Sequence, residues 1–161
     1  MGQTVTLSRV NQEAFDEMQN DLAYPDKYKS GDVYLDKAWD VTAFILTGSV
    51  RYLKDNVLSE INNPVSHFLT YEDEYMKEFI NYSVPERVKE ISAALQAISE
   101  ADYTILFEKR DYTARRGVMY ALNYPRDDAN TLRNLLLFFN DLKKFYKAAA
   151  DCEEYVVTVI G

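Results

Sequence analysis

Tyr155-Val156-Val157-Thr158-Val159-Ile160, at the carboxyl end, is apolar on both faces of a period-two pattern. A strand with one solvated side alternates apolar with polar residues, so this run reads as an interior strand of a sheet. Immediately upstream, Leu132, Leu135, Leu136, Phe139, Leu142, Tyr146 and Ala149 form one stripe at helical spacing, which predicts a helix over about 130–150. Lys143, Lys144 and Lys147 fall in its carboxyl half, where positive charge suits the helix dipole.

Further upstream, Ser83-Val84-Pro85-Glu86 has the form of a capping box with proline in the first turn. Val84, Val88, Ile91, Leu95 and Ile98 follow at spacings of four and three, giving a helix that runs to about Ser99. Phe79-Ile80-Asn81-Tyr82 before it reads as a short strand, and residues 100–120 read as irregular helix. Asp36 stands where an N-cap belongs, ahead of an apolar helix from Lys37 to Leu46 that Gly48 is placed to end. Leu53, Val57, Leu58 and Ile61 suggest one more helical stretch, broken by Asn62-Asn63-Pro64. Residues 23–32 are turn chemistry. Near the amino end, Thr4-Val5-Thr6-Leu7 alternates as a strand with Val5 and Leu7 inward, and Ser8 is placed to cap a helix over 9–20. The sum is α+β: a helix-rich single domain over residues 1–161, with a small mixed sheet that includes the N- and C-terminal strands. A three-layer α/β arrangement is the alternative.

The totals agree with a folded domain. In 161 residues, 47% are hydrophobic and 27% charged, with 5 Gly and 4 Pro. At this length, folding removes roughly 70% of the exposed surface, so a core needs no disulfide or metal. The net charge of −8 repels phosphate backbones and anionic lipid, which argues against nucleic acid and membrane as partners and favours a basic one. One cysteine, Cys152, allows no intrachain disulfide and fits a reducing, cytoplasmic setting. There is no signal-peptide pattern and no apolar run of spanning length. The myristoylation pattern at Gly2–Thr6 and the sequon at Asn81-Tyr82-Ser83 are short matches of the kind that arise by chance.

Tyr34-Leu35-Asp36-Lys37-Ala38-Trp39, followed by Phe44-Ile45-Leu46-Thr47-Gly48, resembles the bacterial YfbM-like family, domain of unknown function 1877. Met1-Gly2 leading into a strand, Tyr82-Ser83-Val84-Pro85-Glu86-Arg87-Val88, and Phe138 to Ala150 before a hydrophobic last strand extend the likeness over nearly the whole chain. Two stretches depart from the family pattern: Ile61-Asn62-Asn63-Pro64-Val65-Ser66 lacks its glycine-containing segment, and Met119-Tyr120 with Pro125 after Tyr124 alters its Ile-Tyr-Pro segment. The resemblance implies a compact domain of helices and strands and brings no activity with it.

Tested group by group, catalytic chemistry finds little material. Nucleophilic catalysis needs a base beside the nucleophile, and His67 is the sole histidine. Cys152, next to the last strand, reads as an ordinary small buried thiol. One His and one Cys cannot make a structural zinc site, and neither Glu72-Asp73-Glu74 nor Asp127-Asp128 has EF-hand spacing. Glycine-rich phosphate loops are absent, and Arg115-Arg116 is too small a footprint for nucleic acid. No cofactor is expected. Asp36 and Asp40 flank Trp39 on one turn and read either as an acid–base pair or as a cap and a buried carboxylate that must find a donor.

Thirteen tyrosines stand against one tryptophan, and tyrosine enriches binding surfaces because it buries area at low entropic cost. The expectation is therefore a non-enzymatic protein-binding domain, in its concrete form an immunity-type protein that neutralises a toxin by covering a basic cleft. Tyr71, Glu72, Asp73, Glu74 and Tyr75 are its expected contact patch. The competing class is a small-molecule binder or carboxylate-dependent enzyme with a pocket around Asp36, Trp39, Asp40 and Tyr82. A structural subunit that builds a homo-oligomer is the third; the sequence leaves the oligomeric state open.

Overall fold

Both chain ends enter one sheet. The computed structural model describes residues 4–21, 25–49, 52–61, 66–67, 79–110 and 129–161. Strands β1 (Val5–Val10), β2 (Gly31–Asp36), β3 (Ser66–His67), β4 (Phe79–Ser83) and β5 (Tyr155–Ile160) lie in the order β2-β1-β5-β4-β3. All four pairings are antiparallel, so the sheet is not mixed among the described strands. The class is α+β as the sequence predicts. β5 pairs with β1 on one side and β4 on the other, and both of its faces are covered, Val156 by the main core and Val157 by the smaller one.

Period-two alternation sorts the side chains. Val5 and Leu7 of β1, with Val156 of β5, face one side and join a core built on α2 (Trp39–Thr47), α3 (Pro85–Gln96), α4 (Glu100–Lys109) and α5 (Ala129–Asp151). Val10 and Val157 face the other side, where Phe15 and Met18 of α1 (Gln12–Asp21) cover them. The stripes read from the sequence are the buried faces of α3 and α5: Val88, Ile91 and Leu95 of one, Leu135, Phe139, Leu142, Tyr146 and Ala149 of the other. Phe139 stacks on Tyr103 of α4 with ring centroids 4.4 Å apart.

Three expected caps fall elsewhere, each because a strand runs further than its apolar signal. β1 continues to Val10 to complete its pairing, so Ser8 is buried in the sheet and Asn11 Oδ1 caps α1 by accepting from Ala14 N–H at 2.8 Å. β2, which begins at the end of the stretch read as turn, runs to Asp36, whose φ of 45° turns the chain off the sheet; α2 begins after Ala38 without a side-chain cap. Ser83 completes β4, leaving Val84 as the N-cap of α3, and Pro85 fills the first helical position where no N–H is needed. Gly48 ends α2 as expected: at φ 75° it donates its N–H to Phe44 O at 2.8 Å. The stretch around Leu58 is a 3-10 turn, Val57–Ile61, rather than an α-helix. No helix among the described residues is long and apolar enough to cross a membrane.

Candidate functional site

β2 is the terminal strand of the sheet, and its outer side has no strand partner among the described residues. The pairing of β1 fixes which of its main-chain groups face outward. Thr4 N–H donates to Gly161 O at 2.7 Å and Gly161 N–H returns the bond to Thr4 O at 3.1 Å. In an antiparallel ladder, such reciprocal pairs alternate. Residues 4, 6, 8 and 10 therefore bond toward β5, while Leu7 and Arg9 bond toward their β2 partners Val33 and Gly31. The N–H and C=O groups of Asp32 and Tyr34 are left pointing to the open edge.

An open groove of about 450 Å³ follows that edge, lined by Gly31, Asp32, Val33 and Tyr34 and, from α5, by Asp141, Lys144, Phe145 and Ala148. The four α5 residues lie at spacings of three, one and three, one stripe beside the buried face of the helix. Consecutive strand residues send side chains to opposite faces, so what all four β2 residues present in common is the backbone edge. Tyr34, 55% exposed, is among the most exposed large side chains described.

One end of the groove is held by charge. Arg9 lies against Gly31 so closely that a Cβ there would sit 2.9 Å from Arg9 Nε, and its Nη2 donates to Ser30 O at 3.3 Å. Its Nη1 is 3.5 Å from Oε2 of the buried Glu154, whose Oε1 accepts from Ser30 Oγ at 2.6 Å. Lys29 donates to Asp32 and to Asp26, and these bonds raise its pKa, Asp32 contributing most. Lys144 and Asp141 form no ion pair among the described residues. The groove offers main-chain hydrogen bonds, ring and methyl surface, and charges of both signs; among the described residues no serine, cysteine or histidine lines it.

The four residues expected to line a pocket are not brought together. Asp36 is the half-buried end of β2, and its Oδ1 accepts from Tyr34 Oη at 3.3 Å. Trp39 packs against the main core, and the buried Asp40 accepts Val41 N–H on Oδ1 at 2.7 Å, which supplies the donor a carboxylate in an apolar helix requires. Tyr82 is on β4, three strand spacings from β2 (about 14 Å) and on the opposite face, packed edge-on to Phe15 at 4.9 Å. Tyr71, Glu72, Asp73, Glu74 and Tyr75 lie outside the described residues, as do Asp127-Asp128 and Arg115-Arg116. Cys152 corrects its expectation: it sits in the turn after α5 and is exposed, because β5 takes up the chain only three residues later. Among the described residues, no group of three or more His, Cys, Asp or Glu could hold a metal ion.

Arg9 and Gly31 carry no functional signal in the sequence, and Lys144 enters there only as a charge suited to the helix dipole. The available signal was Val33 and Leu35 alternating with Asp32 and Tyr34 after Gly31, a strand pattern masked by the polar run from Pro25 to Ser30.

Comparison with known proteins adds a family and a fold. No curated protein matches the chain. The chain is similar to a protein of unknown function, YfbM from Escherichia coli, in its crystal structure: TM-score 0.66 at 17% identity, covering 98% of this chain and 99% of that one. At that identity the likeness speaks for the fold alone. The model of the domain of unknown function DUF1877 matches residues 1–159, and the chain belongs to that family.

Proposed function

We propose that this chain is a non-enzymatic protein-binding domain and that the groove between the β2 edge and α5 is its binding surface. The observation that carries the reading is the open edge itself. Four successive residues of a terminal strand, Gly31 to Tyr34, line one groove with a helix stripe along its other wall. Unpaired strand edges attract further chains, and proteins that do not use them generally cover or blunt them. A net charge of −8 directs the choice toward a basic partner, with electrostatic steering favouring encounter. A toxin neutralised by an immunity-type protein is the concrete form of such a partner.

Ala148→Trp fills the groove from the α5 side without touching the core, since Ala148 is only half-buried. The test is affinity capture with the tagged chain and with this variant, beside a control variant, Glu90→Lys, on the exposed side of α3. A partner lost with Ala148→Trp and kept with Glu90→Lys supports the reading. Identical partners for all three would reject it.

A further inference from the structure

We infer that the partner enters as an extended, basic segment that adds a strand to the outer edge of β2. The inference rests on the groove being a protein-binding surface and concerns how that surface is used. Asp32 and Tyr34 each turn an N–H and a C=O outward, because Leu7 and Arg9 occupy the intervening positions from the other side. An incoming strand would lie about 4.8 Å from β2 and bond to both residues. Asp141 to Ala148 span roughly 10 Å of helix, the length of about three strand residues. Side chains directed to that wall meet Phe145 and Ala148, while those on the opposite face meet Asp32 and Tyr34.

Charge chooses between a foreign segment and a second copy. Among the residues that line the groove, Arg9 and Lys144 stand against Asp32 and Asp141, so its own charges balance and the choice falls to the net charge of −8 on the whole chain. Two copies edge to edge would bring two chains of net charge −8 together, whereas a basic segment is drawn in. Apolar residues alternating with lysine or arginine meet both walls.

The experiment uses a capped octapeptide alternating lysine with valine, and follows amide hydrogen exchange of the intact protein residue by residue. At saturating peptide, the amides of Asp32 and Tyr34 should exchange at least roughly tenfold more slowly, with Val33 unchanged. The same peptide N-methylated at alternate residues, and the alternating glutamate–valine peptide, should give no protection. Tyr34→Pro removes an outward N–H, a change edge strands tolerate, and should abolish protection of Asp32; should that variant fail to fold, the N-methylated peptide tests the same bonds from the ligand side. Peptide signals confined to Lys144 and Phe145, with Asp32 and Tyr34 still exchanging freely, would leave the groove as a binding surface and overturn strand addition. Equal protection by the glutamate peptide would overturn the basic partner. Light scattering that shows a dimer with both amides already protected would give the edge to a second copy instead.

Discussion

Arg87, in the first turn of α3, reaches across to the 3-10 turn and donates through Nε to one carboxylate oxygen of Glu60 at 2.7 Å, with Nη2 in ion-pair contact with the same oxygen at 2.5 Å. Glu60 is 1% exposed, and its other oxygen has no hydrogen-bond partner among the described residues. The bonds raise the pKa of Arg87, the Glu60 bond first among the causes, so the guanidinium stays charged at any ordinary pH. Breaking a buried pair from one side costs about 3–5 kcal/mol; Arg87 keeps solvent contact, so Arg87→Leu should cost about 2–3 kcal/mol. Replacing both partners by leucine should recover much of that loss. Urea denaturation of Arg87→Leu, Glu60→Leu and the double variant measures the loss and its recovery. A double variant no better than the worse single would show that the pair is not acting as one unit.

Tyr146 is fully buried on the inner face of α5, and its hydroxyl has no partner among the described residues. Burial, and then the nearby charge of Glu60, push its pKa well above the ordinary 10.0. A raised folded-state pKa means the native state holds the proton longer than the unfolded chain does. The resulting stability is fully present below pH ~10 and is lost as the pH rises from there toward the folded value. Tyr146→Phe removes this linkage along with an unmet donor, so it should cost less than about 1 kcal/mol at pH 7 and move alkaline unfolding upward. A pH titration of far-UV circular dichroism checks this; an unchanged alkaline midpoint would count against it.

Phe15 fastens α1 to the sheet, stacking on Tyr155 at 3.8 Å between ring centroids and meeting Tyr82 edge-on at 4.9 Å. The second core has few other members, with Met18 the other buried residue that α1 contributes. Phe15→Ala should therefore cost about 3–4 kcal/mol and loosen α1 ahead of the rest of the domain. Hydrogen exchange would show α1 amides opening below the global unfolding free energy. Uniform opening of all helices would show α1 to be no separate unit.

How far these relationships were legible in the sequence depends on whether one element's own pattern carried them. Val88, Ile91 and Leu95, or Leu135, Phe139 and Leu142, announce their helices because each stripe repeats at spacings of three and four over two turns. β5 announced itself as interior because both of its faces are apolar. β2 did not: its exposed face carries Asp32 and Tyr34, and an edge strand offers only half a signal. Ser8, Asp36 and Ser83 each carry a capping side chain, yet the sheet took all three, since strand pairing outweighs a cap worth about 1 kcal/mol. The groove was illegible for a related reason. It joins Gly31 to Ala148, and nothing in either segment specifies the other.

Gly48 carries a constraint readable from one residue and its neighbour in space. Its φ is 75°, and an added Cβ would lie 3.0 Å from Arg110 Nη1, while Arg110 Nε donates to Ile45 O at 2.9 Å and helps close the end of α2. Gly48→Ala faces both a left-handed backbone and a displaced guanidinium, so a loss of about 1–2 kcal/mol is expected. Asparagine tolerates that backbone better, and Gly48→Asn should lose less. Thermal unfolding ranks the two; alanine as stable as glycine would mean that this turn can relax.

Gly31 separates stability from binding at the proposed site. Unlike Gly48, it has no positive φ, and the atoms a Cβ would meet belong to the tip of Arg9, a flexible side chain that can swing away. Gly31→Ala should thus cost about 1–2 kcal/mol, because the displaced guanidinium leaves the buried Glu154 with Ser30 as its donor. The displaced guanidinium has two places to go: toward solvent, or along the β2 edge into the groove that Asp32 and Tyr34 face. In either position it loses the shielding of Glu154 and stands as an added positive charge where a basic segment is expected. Affinity for the lysine–valine peptide should fall several-fold while the unfolding midpoint falls by only a few degrees, and the loss of affinity should shrink as salt is raised from 50 to 300 mM, values chosen to bring the Debye length from about 14 to about 6 Å. The variant Gly31→Ala with Arg9→Gln has no displaced cation and should bind as the parent does. If the single variant binds unchanged, the Arg9 end of the groove takes no part in recognition, and the site contracts to the edge of β2 and the stripe from Asp141 to Ala148.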